Sequence, residues 1–341
     1  MPQRSHRFYP GNPDLFRERL LSWYGRNRRD LPWRRTRDPY RVWLSEIMLQ
    51  QTRVAAVLEH YRRFLQRFPT IESLAAARES SVLAAWSGLG YYRRARMMHA
   101  AAKLVMRDGD GKIPETSAAL RRLSGIGRYT AAAIASIAFG EPVAVVDGNV
   151  ERVLERLSGT DLSGQALWDS AQYLLSHDRP GDFNQAMMEL GATTCLPAQP
   201  LCATCPIREF CLTRGRWQTR TKSTRQRKRE IHYALGYQQG CVFLVKRPSN
   251  ASLMPGMWEL PTLLNRRRRT DFRVRHSITV TNYTVHVSRI DAPAHLPGKW
   301  VPRSRLLRLP LTGLARKVLR AAGVLHSAST RRRRSSKPAG G

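Results

Sequence analysis

The 341-residue chain predicts a mainly α N-terminal region followed by a smaller α+β region. Three observations carry that expectation. Apolar residues recur at helical spacing from residue 11 to about residue 193. Four cysteines, Cys195, Cys202, Cys205 and Cys211, then fall within 17 residues. Past a basic stretch at 214–230 the pattern changes to short β-rich runs.

Leu15, Leu20, Leu21 and Trp23 open the first amphipathic helix. Val42, Trp43, Ile47 and Met48 continue the pattern, and Val54, Val57 and Leu58 extend it. The alanine-rich segments Ala75–Ala77 and Ala131–Ala138 favour helix intrinsically. Pro69, Pro114, Pro142 and Pro180 lie between periodic segments, where helices start or stop. No stretch before Cys195 alternates as a half-buried strand would. Residues 214–230 read as a basic linker. Strands are expected at Ile231–Tyr237, Cys241–Lys246, Ser277–Tyr283 and Thr284–Ile290, and a helix at Leu311–Leu325. Arg266–Arg269 reads as a solvated loop, and 326–341 as a disordered basic tail containing Arg331–Arg334. The expected domains are therefore 11–213 and 231–325.

Lys and Arg number 58 against 25 Asp and Glu, a net charge of +33. Such an excess fits a polyanion partner, although an arginine-rich coding bias would raise it too, and charge does not choose DNA over RNA. There is no run of about 18 apolar residues, so no membrane span is expected. The first ten residues lack the apolar core of a secretory signal, and a cytoplasmic location is expected. Clustered cysteines suit a reducing compartment. The fifth, Cys241, reads as a buried strand residue.

Four thiolates at C-x6-C-x2-C-x5-C spacing are metal ligands, for zinc or an iron–sulfur cluster. Structural zinc commonly uses two CxxC knuckles. Only one is present here, which favours a [4Fe–4S] cluster, with zinc as the alternative. A pair of disulfides is a third reading, disfavoured because nothing else looks secreted.

Leu123-Ser-Gly-Ile-Gly-Arg-Tyr-Thr130 lies between two helical segments. Gly125 and Gly127 permit a tight turn that side chains would block, and the amides that follow can bind a phosphate. This LxGxGxxTA pattern is that of a helix-hairpin-helix; a plain tight turn between helices is the alternative. Asp147 follows in Val145-Val-Asp-Gly-Asn-Val150, where it would cap the next helix or serve in chemistry.

With the hairpin and the aspartate in this order, the chain resembles the helix-hairpin-helix DNA glycosylase superfamily. The cysteine spacing is similar to that of its iron–sulfur branch, endonuclease III and the MutY-type adenine glycosylases. Ser45-Glu-Ile-Met-Leu-Gln-Gln-Thr52 looks like the MutY type. Its Glu46 sits among Val42, Trp43, Ile47 and Met48, and a desolvated carboxyl can stay protonated long enough to act as an acid. Endonuclease III-like enzymes carry a nucleophilic lysine where this chain has Tyr129, and a phenol forms no Schiff base. Asn149 also matches the MutY type.

The resemblance implies a helix-hairpin-helix glycosylase fold with a smaller Nudix-like C-terminal domain. It implies one [4Fe–4S] cluster and, as partner, double-stranded DNA containing adenine opposite 8-oxoguanine or guanine. With no organelle-type presequence, a bacterial source is expected, and with it a nucleoid-associated enzyme acting as a monomer. Glu46 would protonate the adenine, Asp147 would stabilise the sugar cation or trap it, and Tyr129 and Asn149 would orient these groups. Trp33 and Arg34 would line the adenine pocket. Glu189 would contact the adenine edge; a solvated charge near the cysteines is the other reading. Gln51 and Tyr91 would wedge into the duplex. In the C-terminal domain, His276 and Thr279 would face the lesion, in a loop where Val280 replaces the histidine usual in the family. Gly256-Met-Trp-Glu-Leu-Pro261 resembles a Nudix element, but the chain lacks the glutamate string that pyrophosphate hydrolysis needs. Two other functions fit some of these features: a bifunctional endonuclease III-like glycosylase and lyase, and a non-enzymatic iron–sulfur DNA-binding protein.

Overall fold

The computed structural model describes residues 11–216, 226–263, 269–278, 280–290 and 297–325. Thr279, residues 217–225 and 266–268, and the whole tail at 326–341 lie outside them. The chain forms two compact units. One holds the chain up to Ala76 together with Met97–Lys222; the other holds Ala77–Arg96 and the chain from Ser223 onward.

The first unit is helical. Its elements are α1 (Pro13–Asn27), α2 (Pro39–Leu49), α3 (Val54–Arg67) and α4 (Ile71–Ala75). After α5 (Glu79–Trp86), which belongs to the other unit, come α6 (Tyr92–Gly109), α7 (Ser117–Leu120), α8 (Arg128–Ala138), α9 (Gly148–Ser158), α10 (Gly164–Leu174) and α11 (Pro180–Thr193). The starts are chemically marked. Asn12 and Asp38 accept amide hydrogens at the heads of α1 and α2, and a proline follows each. Helix α2 is buried nearly all round, from Tyr40 and Val42 to Met48. Phe16, Leu20, Leu154, Phe183, Leu190 and Phe210 build a core from α1, α9, α11 and the cysteine loop, and Cys195, Cys205 and Cys211 pack against it.

The second unit is a six-stranded sheet with helix. Its strands are β1 (Arg227–Gln238), β2 (Cys241–Lys246), β3 (Trp258–Glu259), β4 (Phe272–Ile278), β5 (Thr281–Ile290) and β6 (Lys299–Pro302), followed by α12 (Gly313–Ala321). The order is β3-β2-β1-β5-β4, with β6 paired to β2. β1 runs parallel to β5 over ten residue pairs, from Arg227↔Thr281 to Gly236↔Ile290. Val242, Leu244, Val285 and Val287 of the sheet pack on Leu314, Val318 and Leu319 of α12.

Four expectations need correction. The charged residues Arg227–Glu230 read as linker, yet they form the first part of β1, because pairing with β5 satisfies their backbone. The strand expected at Ser277–Tyr283 is instead divided between β4 and β5, which pair antiparallel as far as Ile278↔Thr281, and no glycine or asparagine at 279–280 announces the break in the sequence. Residues 77–96 fall inside the expected first domain but fold with the second unit: Ser87 Oγ and Tyr92 Oη donate to the Leu311 carbonyl at 2.7 and 3.0 Å. Cys241 opens β2 and is half-buried rather than buried.

Candidate active site and cysteine centre

Helices α2, α8, α9 and α11 surround a cleft of about 720 Å³ in the first unit. Trp33, Arg34, Glu46, Gln51, Tyr129, Asp147, Asn149 and Glu189 all line it. Glu46 and Asp147, 101 positions apart in the chain, thus share one cavity.

Glu46 is 5 % exposed. Tyr129 Oη donates to its Oε2 at 2.6 Å. Burial pushes the Glu46 carboxyl up to about 7; the charge of Asp147 adds to this, while the Tyr129 hydrogen bond and Arg34 oppose it. Burial, with the charges of Glu46 and Asp147, raises the Tyr129 phenol well above its ordinary range. Tyr129 therefore stays a hydrogen-bond donor, and Glu46 can hold a proton near neutral pH.

Asp147 caps α9, its Oδ1 accepting from the amides of Asn149 and Val150 at 2.9 and 2.8 Å, and it also faces the cleft. Its Oδ2 accepts from Asn149 Nδ2 at 2.8 Å. Asn149 Oδ1 in turn accepts from Arg152 Nη2 at 3.0 Å. Arg152 also donates to the carbonyls of Gly191 and Cys195, at 2.7 and 2.9 Å. A Cβ on Gly191 would come within 2.6 Å of Asn149 Cβ, so glycine is what lets α11 approach α9 this closely.

One turn further along α9, Arg156 reaches the cysteine loop. Its guanidinium donates to Cys195 Sγ at 3.3 Å and to the carbonyls of Leu196 and Pro197 at 2.7 Å each. The Arg214 amide donates to Cys211 Sγ at 3.3 Å. The four thiols form no disulfides and face one small hollow, which rules against the bridged reading. Four sulfurs around a shared space, with N–H groups aimed at two of them, fit a four-thiolate metal centre.

Glu189 is not a solvated charge. Its side chain is fully buried, and Arg29 and Arg34 close on it at 2.6 and 2.8 Å. Arg29 also supplies its backbone amide at 3.0 Å and its Nε at 2.8 Å. Burial pushes this carboxyl up, but the hydrogen bonds from Arg29 and Arg34 outweigh it and hold the group at about 2. Arg34 thus reaches the cleft as half of an ion pair. Trp33 is buried, edge-on to Tyr61 at 5.3 Å.

Gln51 is exposed at the cleft with a left-handed backbone, φ +54°. Tyr91, in the second unit, has φ +47° and is 42 % exposed, with the Arg94 guanidinium over its ring at 5.3 Å. Both conformations are costly for non-glycine residues and mark side chains held outward. His276 is half-buried on β4, and burial together with Lys317 lowers its pKa. The two hairpin glycines differ. Gly125 has φ +81°, and a Cβ there would meet Met97 Cβ at 2.7 Å. Gly127 caps α8 with an ordinary φ of −83°, and a Cβ there would touch nothing within 4 Å. Only Gly125 is required by the turn, which corrects the expectation for Gly127.

Residues 44–166 match the model of the HhH-GPD superfamily of base excision DNA repair proteins. A solved structure of a thermostable thymine-DNA glycosylase aligns over 97% of its length and 60% of this chain, at 31% identity and a TM-score of 0.57. The chain belongs to the helix-hairpin-helix superfamily of base excision DNA repair proteins. Among curated relatives of this superfamily member, the adenine DNA glycosylase of Homo sapiens is 50% identical over 216 residues, 59% of this chain and 40% of the relative. That of Arabidopsis thaliana is 40% identical over 312 residues, 76% of this chain and 49% of the relative. The chain thus spans less than half the length of these two relatives.

Arg29, Arg152, Arg156 and Gly191 escaped the sequence reading. Asn149, Arg152 and Arg156 share one face of α9 at i, i+3 and i+7 spacing, a signal that could have exposed the arginines. Nothing local joins Arg29 to Glu189.

Proposed function

We propose that the chain is a monofunctional adenine DNA glycosylase of base excision repair, removing adenine opposite 8-oxoguanine or guanine. The observation that carries this reading is the pairing of a buried, proton-holding Glu46 with Asp147 in one cleft, where a tyrosine stands at the position of a lyase lysine. The names of the curated relatives support the same substrate class.

The target nucleotide leaves the stack and enters the cleft. Glu46 gives its proton to N7 of the adenine, and the glycosidic electron pair departs with the base. Asp147, both oxygens fixed by donors, stabilises the cationic sugar or bonds to it. Glu46, now ionised, takes a proton from the water that completes the hydrolysis. Tyr129 and Asn149 keep the two carboxyls in place, and the Arg29–Glu189–Arg34 cluster shapes the wall beside the base. The four cysteines would hold one [4Fe–4S] cluster, which supplies a structural brace for the loop. The C-terminal unit, read as Nudix-like, would meet the 8-oxoguanine through His276 and Thr279, with a weaker grip because Val280 replaces a histidine. Gln51 and Tyr91 would fill the space left in the duplex. The enzyme would work as a monomer in the bacterial cytoplasm.

The test is a duplex with adenine opposite 8-oxoguanine, analysed with and without alkali. The reading expects strand breaks only after alkali, and none from Asp147→Asn even though that variant still binds the duplex. Cutting without alkali would support a bifunctional enzyme, and binding without an abasic product a non-enzymatic one.

A further inference from the structure

We propose that Glu230, His232 and His286 in the second unit form a binding site for a divalent transition metal of the zinc type. The site lies on the β1–β5 ribbon. His232 and His286 are direct partners in the parallel register, and Glu230 precedes His232 by two residues, on the same face of β1. One ligand atom from each of the three residues lies within 4.8 Å of the others. Two imidazoles and a carboxylate make up a donor set that suits zinc and its neighbours rather than magnesium or calcium.

A second observation points to a ligand. His286 is 9 % exposed, and its Nε2 is buried with no hydrogen-bond partner among the described residues. Glu230 Oε2 lies 3.8 Å from that nitrogen. The other ring nitrogen, Nδ1, lies 3.4 Å from Thr270 Oγ1. With its hydrogen on Nδ1, the ring bonds to Thr270 and turns its Nε2 lone pair toward Glu230, the orienting arrangement of a metal-bound histidine. The two rings stack at 4.6 Å and 8°. Ligands on one tetrahedral zinc stand about 3.3 Å apart, given bonds of about 2.0–2.1 Å. The trio must therefore close by up to about 1.5 Å, through a rotamer change at the exposed Glu230 and a turn of the stacked His232 and His286 rings out of parallel. Water would complete the coordination. Arg273, partner of His286 on β4, is exposed, so solvent screens its charge. A metal here would tie β1 to β5, the parallel pair at the middle of the sheet.

The test uses the full chain with its cysteine centre loaded, washed with a mild chelator and titrated with Zn²⁺ in a calorimeter. One Zn²⁺ per chain should bind beyond the metal of the cysteine centre, and it should raise the melting temperature. His232→Gln and His286→Gln should each weaken this binding at least tenfold and abolish the thermal shift. Glu230→Gln, at an exposed position that spares the core, should weaken it less. His177→Gln, in the first unit, should leave it unchanged. Absence of the extra Zn²⁺, or undiminished binding in His232→Gln and Glu230→Gln, overturns the site. If His286→Gln does not fold, those two variants decide the question.

Discussion

Tyr129 Oη stands 2.6 Å from Glu46 Oε2, joining α8 to α2 across 83 residues of sequence. The phenol spends its one hydrogen on the carboxyl proposed as the acid, and on that proposal it stands where a lyase would present an amine. On the proposed reading, this single residue both withholds a Schiff-base amine and positions the acid.

Glu46 should trade stability for chemistry. Its folded value of about 7 lies above the ordinary 4.5, so the native state keeps a proton that the unfolded chain releases. Stability therefore falls as pH rises from about 4.5 to 7, and above 7 the loss is complete, at up to about 3 kcal/mol. Glu46→Gln should melt higher than the parent at pH 8 by roughly 1–3 kcal/mol and excise adenine at least about 100-fold more slowly. In the parent, single-turnover excision should decline as pH climbs through 7. A flat profile with an unchanged melt would refute the assignment.

Arg152 should control activity without touching substrate. It holds Asn149, and through Asn149 the second oxygen of Asp147, while gripping the carbonyls of Gly191 and Cys195. Arg152→Ala should cut excision by about tenfold to a hundredfold through misplacement of Asp147, with duplex binding largely kept. Arg152→Lys, which cannot make all three contacts, should recover only part. Parent-level turnover in Arg152→Ala would show that Asp147 needs no such support.

The Arg29–Glu189–Arg34 cluster should be costly to break. With its carboxyl held at about 2, Glu189 contributes stability above the ordinary 4.5 that disappears as pH falls toward 2. Glu189→Ala leaves the largely buried Arg34 without its carboxylate and should cost about 3 kcal/mol in denaturant unfolding at pH 7. The deficit should shrink in acid. A pH-independent difference would mean that packing, not charge, is what was lost.

The hairpin glycines should separate folding from DNA binding. Gly125→Ala forces a side chain into a left-handed backbone and against Met97, costing about 1–3 kcal/mol. Gly127→Ala should change stability by less than about 1 kcal/mol, yet weaken duplex binding, because its methyl would stand before the amides at the start of α8. Equal melting losses in both variants would contradict this division.

The residues proposed to carry chemistry stood out because their types are unusual for their settings: a carboxylate in the apolar stretch around Glu46, four thiols in a short loop, two glycines before a helix. Residues whose meaning depends on a distant partner did not. The ion pairs of Glu189 were hidden because Arg29 is 160 positions away. Residues 77–96 looked like part of the helical domain because helical periodicity does not name the body a helix packs on. The start of β1 was hidden by its charges, since β-pairing is settled by the partner strand rather than by the run itself.

The amino-acid sequence alone determined the helical first region, the β-rich second one and the thiol loop, and it singled out the two carboxylates proposed for catalysis, Glu46 and Asp147. These follow from local periodicity, capping and donor chemistry, which act over a few residues. Only the tertiary structure decided that Glu46 and Asp147 open into one cleft, that burial lifts one carboxyl while two arginines depress another, and that Arg152 ties Asp147, through Asn149, to the cysteine loop. Desolvation and charge pairing depend on what packs from elsewhere in the chain, and no local pattern records it.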